Sequence, residues 1–306
     1  MPIAGRLRLH GASLVSDAVL RRIVRAGLDS VRVHSIYRSV VNLTTMDGLL
    51  TVASPDAGGL PNGIQADLGS DWRVIGLQPG MIVHASTARI RVPDADLEIQ
   101  LDAAARWSPR FPLPAQTAGT GTARWRRRAS ATRAIARLRA SAGGFGPLLR
   151  EDTTHDELGT VDVARPIVAE LIAALEAGDR SAAAQVATGL IGLGPGLTPS
   201  GDDALVGIEA ALHALDMPVA GFLALAVDDV EGRTTALAAT LLRHAAVGEF
   251  AERLHTLLGA LVGSDDETIA TAIDTACAWG ATSGTDCLLG VLIGLDVAAD
   301  VPGASH

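Results

Sequence analysis

The chain has 306 residues, 48% of them hydrophobic, and a net charge of −9. That length allows two domains with a substantial core each, and that hydrophobic content excludes a disordered chain. All 25 basic residues are arginine, which excludes a Schiff-base lysine, with it standard pyridoxal phosphate chemistry, and the lysine of a P-loop.

The first ~100 residues read mostly as strand. One early helix, about Ser16 to Ala26, is capped by Ser16 and ended by Gly27. Ser30 to Ile36 alternates apolar and polar residues. Val40–Leu43 and Leu49–Ala53 flank Met46-Asp47-Gly48, and Asp-Gly is a strong hairpin signal. Further short strands are expected at Arg73–Ile75, Met81–His84, Ala88–Val92 and Leu97–Leu101, with turns at Pro55, Gly58-Gly59, Pro61-Asn62-Gly63 and Pro79-Gly80. The stretch Trp107-Ser108-Pro109-Arg110-Phe111-Pro112-Leu113-Pro114 has too many prolines to be regular, and Gly119–Thr122 reads as loop.

From Ala123 onward the chain reads as helical. The candidates are Ala123–Ser141, Val161–Ala177, Ser181–Leu190, Asp202–Leu215, Val219–Val230, Thr235–Val247, Phe250–Val262, Asp265–Trp279 and Thr285–Leu295. The expected fold is therefore α+β. An antiparallel β-rich barrel or sandwich (1–105) leads through a Pro/Gly-rich linker (106–122) to a compact all-helical domain (123–298).

No apolar run approaches the ~20 residues a bilayer span needs. The opening Met1-Pro2-Ile3-Ala4-Gly5-Arg6 lacks a signal-peptide pattern. Both point to a cytoplasmic protein without a membrane partner. Cys277 and Cys287 form no CxxC pair and read as core residues. The negative charge disfavours nucleic acid as a partner. The basic run Arg124, Arg126, Arg127 and Arg128, with Trp125 among them, reads as a solvated helix face, a surface for an acidic partner or a contribution to an anion site, and only secondarily as a nucleic-acid contact.

Two segments stand apart. Gly192-Leu193-Gly194-Pro195-Gly196-Leu197-Thr198-Pro199-Ser200-Gly201-Asp202-Asp203 combines flexible glycines, two hydroxyls and two carboxylates before a helix. Ala281-Thr282-Ser283-Gly284-Thr285-Asp286-Cys287-Leu288-Leu289-Gly290 repeats its end as S-G-x-D-x-L-x-G, offset by 83 residues from Ser200 to Ser283. Helix N-termini offer free N–H groups and a positive dipole end to an anion. Ordinary capping and helix packing are the competing explanation. Asp202, Asp203 and Asp286 would repel a lone phosphate. They suit an NH2-bearing ligand, or Mg2+ held with the help of water; no cofactor is required. If the helix ends converge, Gly194, Gly196, Thr198, Ser200, Gly201, Asp202, Thr282, Ser283, Gly284 and Thr285 would enclose one small polar ligand. Arg233-Thr234-Thr235, at another helix start, could clamp a carboxylate or phosphate. Asn62 reads as a turn residue or an outlying member of that site.

These segments, with Val33-His34-Ser35 and Pro61-Asn62-Gly63-Ile64, resemble a family long described only as a domain of unknown function. One branch is the AllH-type subunit of oxamate carbamoyltransferase, of anaerobic allantoin degradation. The resemblance runs from about Val31 to Leu295, leaves out the Arg-rich linker, and is most specific at Thr-Pro-Ser-Gly-Asp-Asp. It implies a part in carbamoyl transfer between oxalurate and phosphate, giving oxamate and carbamoyl phosphate, alongside other subunits. On that basis Asp203, Asp286 and Arg233 are the catalytic candidates. The alternative is a non-catalytic assembly or ligand-sensing subunit.

Overall fold

The computed structural model describes residues 7–26, 31–112, 122–150, 159–263 and 266–300; of 122–128, 26, 262–263 and 266 only the backbone is described. The side chains of Arg124–Arg128, the Gly27 helix stop and residue 265 therefore lie outside it. The chain divides into two compact units, Met1–Pro109 and Arg110–His306.

Unit 1 is a β-barrel. Its strands are β1 (Arg8–Ser16), β2 (Val31–Ile36), β3 (Val40–Thr45), β4 (Gly48–Ala53), β5 (Gly63–Ala66), β6 (Ile82–Ala85), β7 (Arg89–Val92), β8 (Leu97–Gln100) and β9 (Ala105–Trp107). The order is β5-β4-β3-β2-β6-β7-β8-β1, and β1 pairs back onto β5, closing eight strands and leaving no free edge among them. Most neighbours are antiparallel, while β1/β8, β4/β5 and β1/β9 are parallel. Val33, Val41, Leu43, Val52, Ile90 and Ile99 alternate inward and fill the barrel. The expected hairpin forms: Thr45 pairs Gly48, and Gly48 takes φ +108°, a conformation open to glycine. Helix α1 (Asp17–Ala26) follows β1, and the Ser16 hydroxyl accepts the Ala18 N–H as its cap.

In this unit one expected strand is corrected, and two strands, β1 and β9, lie where no strand was expected. Arg73–Ile75 is not a strand: a 3-10 turn spans Trp72–Val74, because Asp71 accepts the Arg73 N–H and starts it. β1 carries no apolar alternation in its first half, and its pairing comes from strands far along the chain. β9 occupies the start of the stretch read as linker.

Unit 2 is helical: α2 (Thr122–Arg139), α3 (Gly146–Arg150), α4 (Thr160–Glu176), α5 (Arg180–Ala187), α6 (Ser200–Ala214), α7 (Ala236–Ala246), α8 (Glu252–Gly263), α9 (Asp266–Cys277) and α10 (Ser283–Asp300). The expected helix Val219–Val230 is instead a series of turns around a 3-10 segment, Phe222–Leu225. Gly221 at φ +79° breaks the helical path, and the Glu209 side chain takes the Leu223 N–H. α6 and α10 are buried almost throughout and form the centre of the unit. Alanine and glycine dominate their facing sides, so the two backbones meet closely. A Cβ on Gly207 would lie 2.1 Å from the Cys287 carbonyl oxygen, and one on Gly290 would lie 2.0 Å from that of Ala204.

Candidate functional site

The contacts between α6 and α10 are reciprocal. Gly207 meets Cys287 and Val291, and Gly290 meets Ala204 and Ile208, the same positions at the 83-residue offset. The pattern continues to the helix starts. The Ser200 hydroxyl bonds the Asp286 carboxyl, and the Ser283 hydroxyl bonds that of Asp203. Such a local two-fold arrangement brings the duplicated motifs together, with Thr198 and Ser283 sharing a 2.9 Å hydrogen bond between their hydroxyls. α6 has Pro199 at its N-cap and no side-chain cap. Ser200 is therefore not a capping serine, and its hydroxyl serves the partner helix.

The carboxyls are buried: Asp203 is 6% exposed and Asp286 0%. One oxygen of each, Oδ2, has no hydrogen-bond partner among the described residues. Burial drives the Asp203 carboxyl well above the usual carboxylate range, and the charges of Asp286 and Asp202 push the same way. Asp286 is raised by burial as well, against the Phe145 N–H and the Ser200 and Thr282 hydroxyls. Hydrogen bonds and helix dipoles favour the ionised form, yet desolvation outweighs them. Both groups can thus be held neutral, able to donate or to accept.

Asp202 has a different task. Its oxygens accept the Gly192 N–H at 3.1 Å and the Thr234 hydroxyl at 2.5 Å, and burial raises it to about 6. It ties the glycine loop to the 233–235 segment. Thr235 caps α7 through the Ala238 N–H and donates to the Leu197 carbonyl. The Arg233 guanidinium is exposed and donates to the Thr188 carbonyl, not to either motif. Gly201 and Gly284 are required by packing: a Cβ there would lie 2.0 Å from the Leu190 oxygen and 1.8 Å from the Ala276 oxygen. Gly194 at φ +114° and Gly196 at φ +104° shape the loop, with open space around Gly196. Among the described residues no group of three or more His, Cys, Asp or Glu side chains is placed to hold a metal ion.

One part of the site escaped the sequence reading. The loop after α2 covers the start of α10, where Phe145 N–H donates to Asp286 Oδ1 at 2.6 Å and Ser141 N–H to the Thr285 hydroxyl at 3.0 Å. Gly144, at φ +56°, lies against the Asp286 carboxyl, where a Cβ would be 2.6 Å from both oxygens. The Gly143-Gly144 pair was the only local signal for it. In unit 1, Asn62 belongs to a polar row across neighbouring strands. Its amide donates to Thr51 at 2.9 Å, Thr51 to Asn42 at 2.8 Å, and Asn42 to Ser35 at 3.1 Å. The bulge between Val33 and Ser35 in β2 then lets His34 meet Ser35 at 3.1 Å.

Fold and site define an α+β protein, a closed barrel and a helical unit built on a duplicated polar helix start. Residues 11–106 match the AllH family N-terminal domain, and residues 190–295 match oxamate carbamoyltransferase subunit AllH. The second stretch contains both motifs. The chain belongs to the AllH family. No solved structure matched it, and none of its helices, among the described residues, is long and apolar enough to cross a membrane.

Proposed function

We propose that this chain is the subunit of an oxamate carbamoyltransferase that holds the carbamoyl group where α6 and α10 begin, working with other subunits in the breakdown of allantoin or related ureido compounds. The observation that carries this reading is the facing pair Asp203 and Asp286, each with one buried oxygen unpartnered among the described residues, beside the Thr198 and Ser283 hydroxyls. Oxalurate and carbamoyl phosphate both present NH groups and anionic oxygens to a site. The carboxyls suit the former, and hydroxyls and helix N-terminal N–H groups the latter.

In the transfer, a phosphate oxygen attacks the carbamoyl carbon of oxalurate, the bond from that carbon to the oxamate nitrogen breaks, and the nitrogen takes up a proton. A carboxyl kept neutral by burial can supply that proton. Arg233, exposed at the start of the α7 segment, has guanidinium donors beyond the one given to Thr188 for an incoming oxyanion. The remaining requirement is positioning and charge stabilisation, and needs no lysine or triad.

A second reading has its own support. Asp202, Thr234, Thr235 and Thr285 are all engaged by protein partners, as in an assembly subunit whose motifs only pack and cap. Calorimetric titration of the purified chain with carbamoyl phosphate, oxalurate and oxamate separates the two. Binding in the substrate range, ~1 μM–1 mM, weakened about tenfold or more by D203N, is the expected result. A chain that binds none of the three, yet still associates with its partner subunits, is an assembly subunit.

A further inference from the structure

We propose that unit 1 carries an oxyanion-binding groove beside α1, suited to the phosphate or carboxylate of a small metabolite. α1 turns Ala18, Val19 and Ile23 inward, which leaves Arg21, Val24 and Arg25 on its outer side. β9 pairs in parallel with β1, setting Arg106 opposite Val15 at the end of the strand that leads into α1. Thr87 comes in from the β6–β7 turn. Together these residues and Leu20 line a groove of about 510 Å3, within the size range of small-molecule sites.

The groove reverses the sign of a chain whose net charge is −9. Three guanidiniums line it, and among the described residues Asp17, at the first turn of α1, is its one acidic lining residue. Arg25 and Arg106 are exposed, and among the described residues neither pairs with a carboxylate. Arg25 by itself is explained by the last turn of α1, whose negative dipole end favours a cation. That account does not reach Arg106, which arrives from a different element. Guanidinium forks match phosphate and carboxylate geometry, and the Thr87 hydroxyl adds a further donor. Leu20 and Val24, the latter 72% exposed, give an apolar floor for a short carbon skeleton. Field focusing by such a charged groove concentrates small anions at it.

The test titrates the full chain with inorganic phosphate, pyrophosphate, oxamate and acetate at low ionic strength. The expected result is binding that falls about tenfold or more in the R25Q/R106Q double variant and weakens as salt is raised. The component of binding that R25Q/R106Q removes persists in D203N, which separates this groove from the start of α6 and α10. Preference for the phosphates marks a phosphorylated ligand, and preference for oxamate over acetate marks a carboxylate with polar neighbours. Circular dichroism of R25Q/R106Q checks that its fold is intact. No binding of any probe at millimolar concentration, or binding indifferent to R25Q/R106Q, overturns the proposal.

Discussion

Gly207→Ala and Gly290→Ala are each expected to destabilise unit 2 by about 2 kcal/mol or more, in spite of the helix propensity gained. In a free helix the exchange stabilises by ~1 kcal/mol, because glycine loses more backbone entropy on folding. Here the new methyl would sit 2.1 Å from the Cys287 oxygen or 2.0 Å from the Ala204 oxygen. Both obstacles are helix backbone, which cannot swing aside as a side chain can. The helices must separate, and close packing of the buried faces is lost along their length. For a unit of this size a loss of about 2 kcal/mol corresponds to a fall in melting temperature of roughly 4–8 °C. Gly259→Ala in α8, with nothing within 4 Å of the added carbon, is the control and is expected to stabilise by up to ~1 kcal/mol. Thermal or urea unfolding of the three variants checks this. A stabilised G207A or G290A would mean that α6 and α10 do not approach as described.

Stability is expected to fall as pH rises from about 5 to 8, with Glu209 as one cause beside the raised carboxyls of Asp203 and Asp286. Glu209 is 0% exposed in the middle of α6, and burial raises it to about 8 against the Leu223 and Gly221 N–H groups and the Arg180 charge. Its ordinary value is 4.5. Between the two the folded state holds a proton that the unfolded chain has released, so each pH unit removes ~1.4 kcal/mol of stability. Above the folded value the slope vanishes. Asp202, raised to about 6, adds the same sign over the lower part of the window. Glu209→Gln keeps an acceptor for the Leu223 N–H and removes the titration. From pH 6 to 8 its unfolding free energy is expected to fall less than that of the parent chain, by on the order of 2–3 kcal/mol, the part that Glu209 contributes. Urea unfolding across that range decides it, and parallel slopes in both proteins would place the coupling elsewhere.

What was legible in the sequence was local. The Met46-Asp47-Gly48 turn, the helix start at Thr235, and the S-G-x-D repeat all announce themselves within a few residues. β1 does not, since Arg8–Ser16 gains its partners from residues 64–66, 97–100 and 105–107. The Val219–Val230 segment has helical composition, but Gly221 and a glutamate reaching over from α6 override it. The duplicated motif indicated which residues share a chemistry. It gave no sign that Gly201 and Gly284 serve helix packing, or that a loop 141 residues earlier supplies the Phe145 N–H to Asp286. Those are tertiary contacts, and no periodicity encodes them. Asn62 was singled out from its turn, but its row to Ser35 depends on the register of four strands.

Asp203 and Asp286 are proposed to act on one ligand. The direct measurement is the affinity of carbamoyl phosphate for the parent chain, D203N, D286N and the double variant. One shared site predicts strong non-additivity: the second substitution adds little to the loss caused by the first, a coupling of about 1 kcal/mol or more. Losses that simply sum, or no loss at all, would show that the carboxyls do not meet a common ligand.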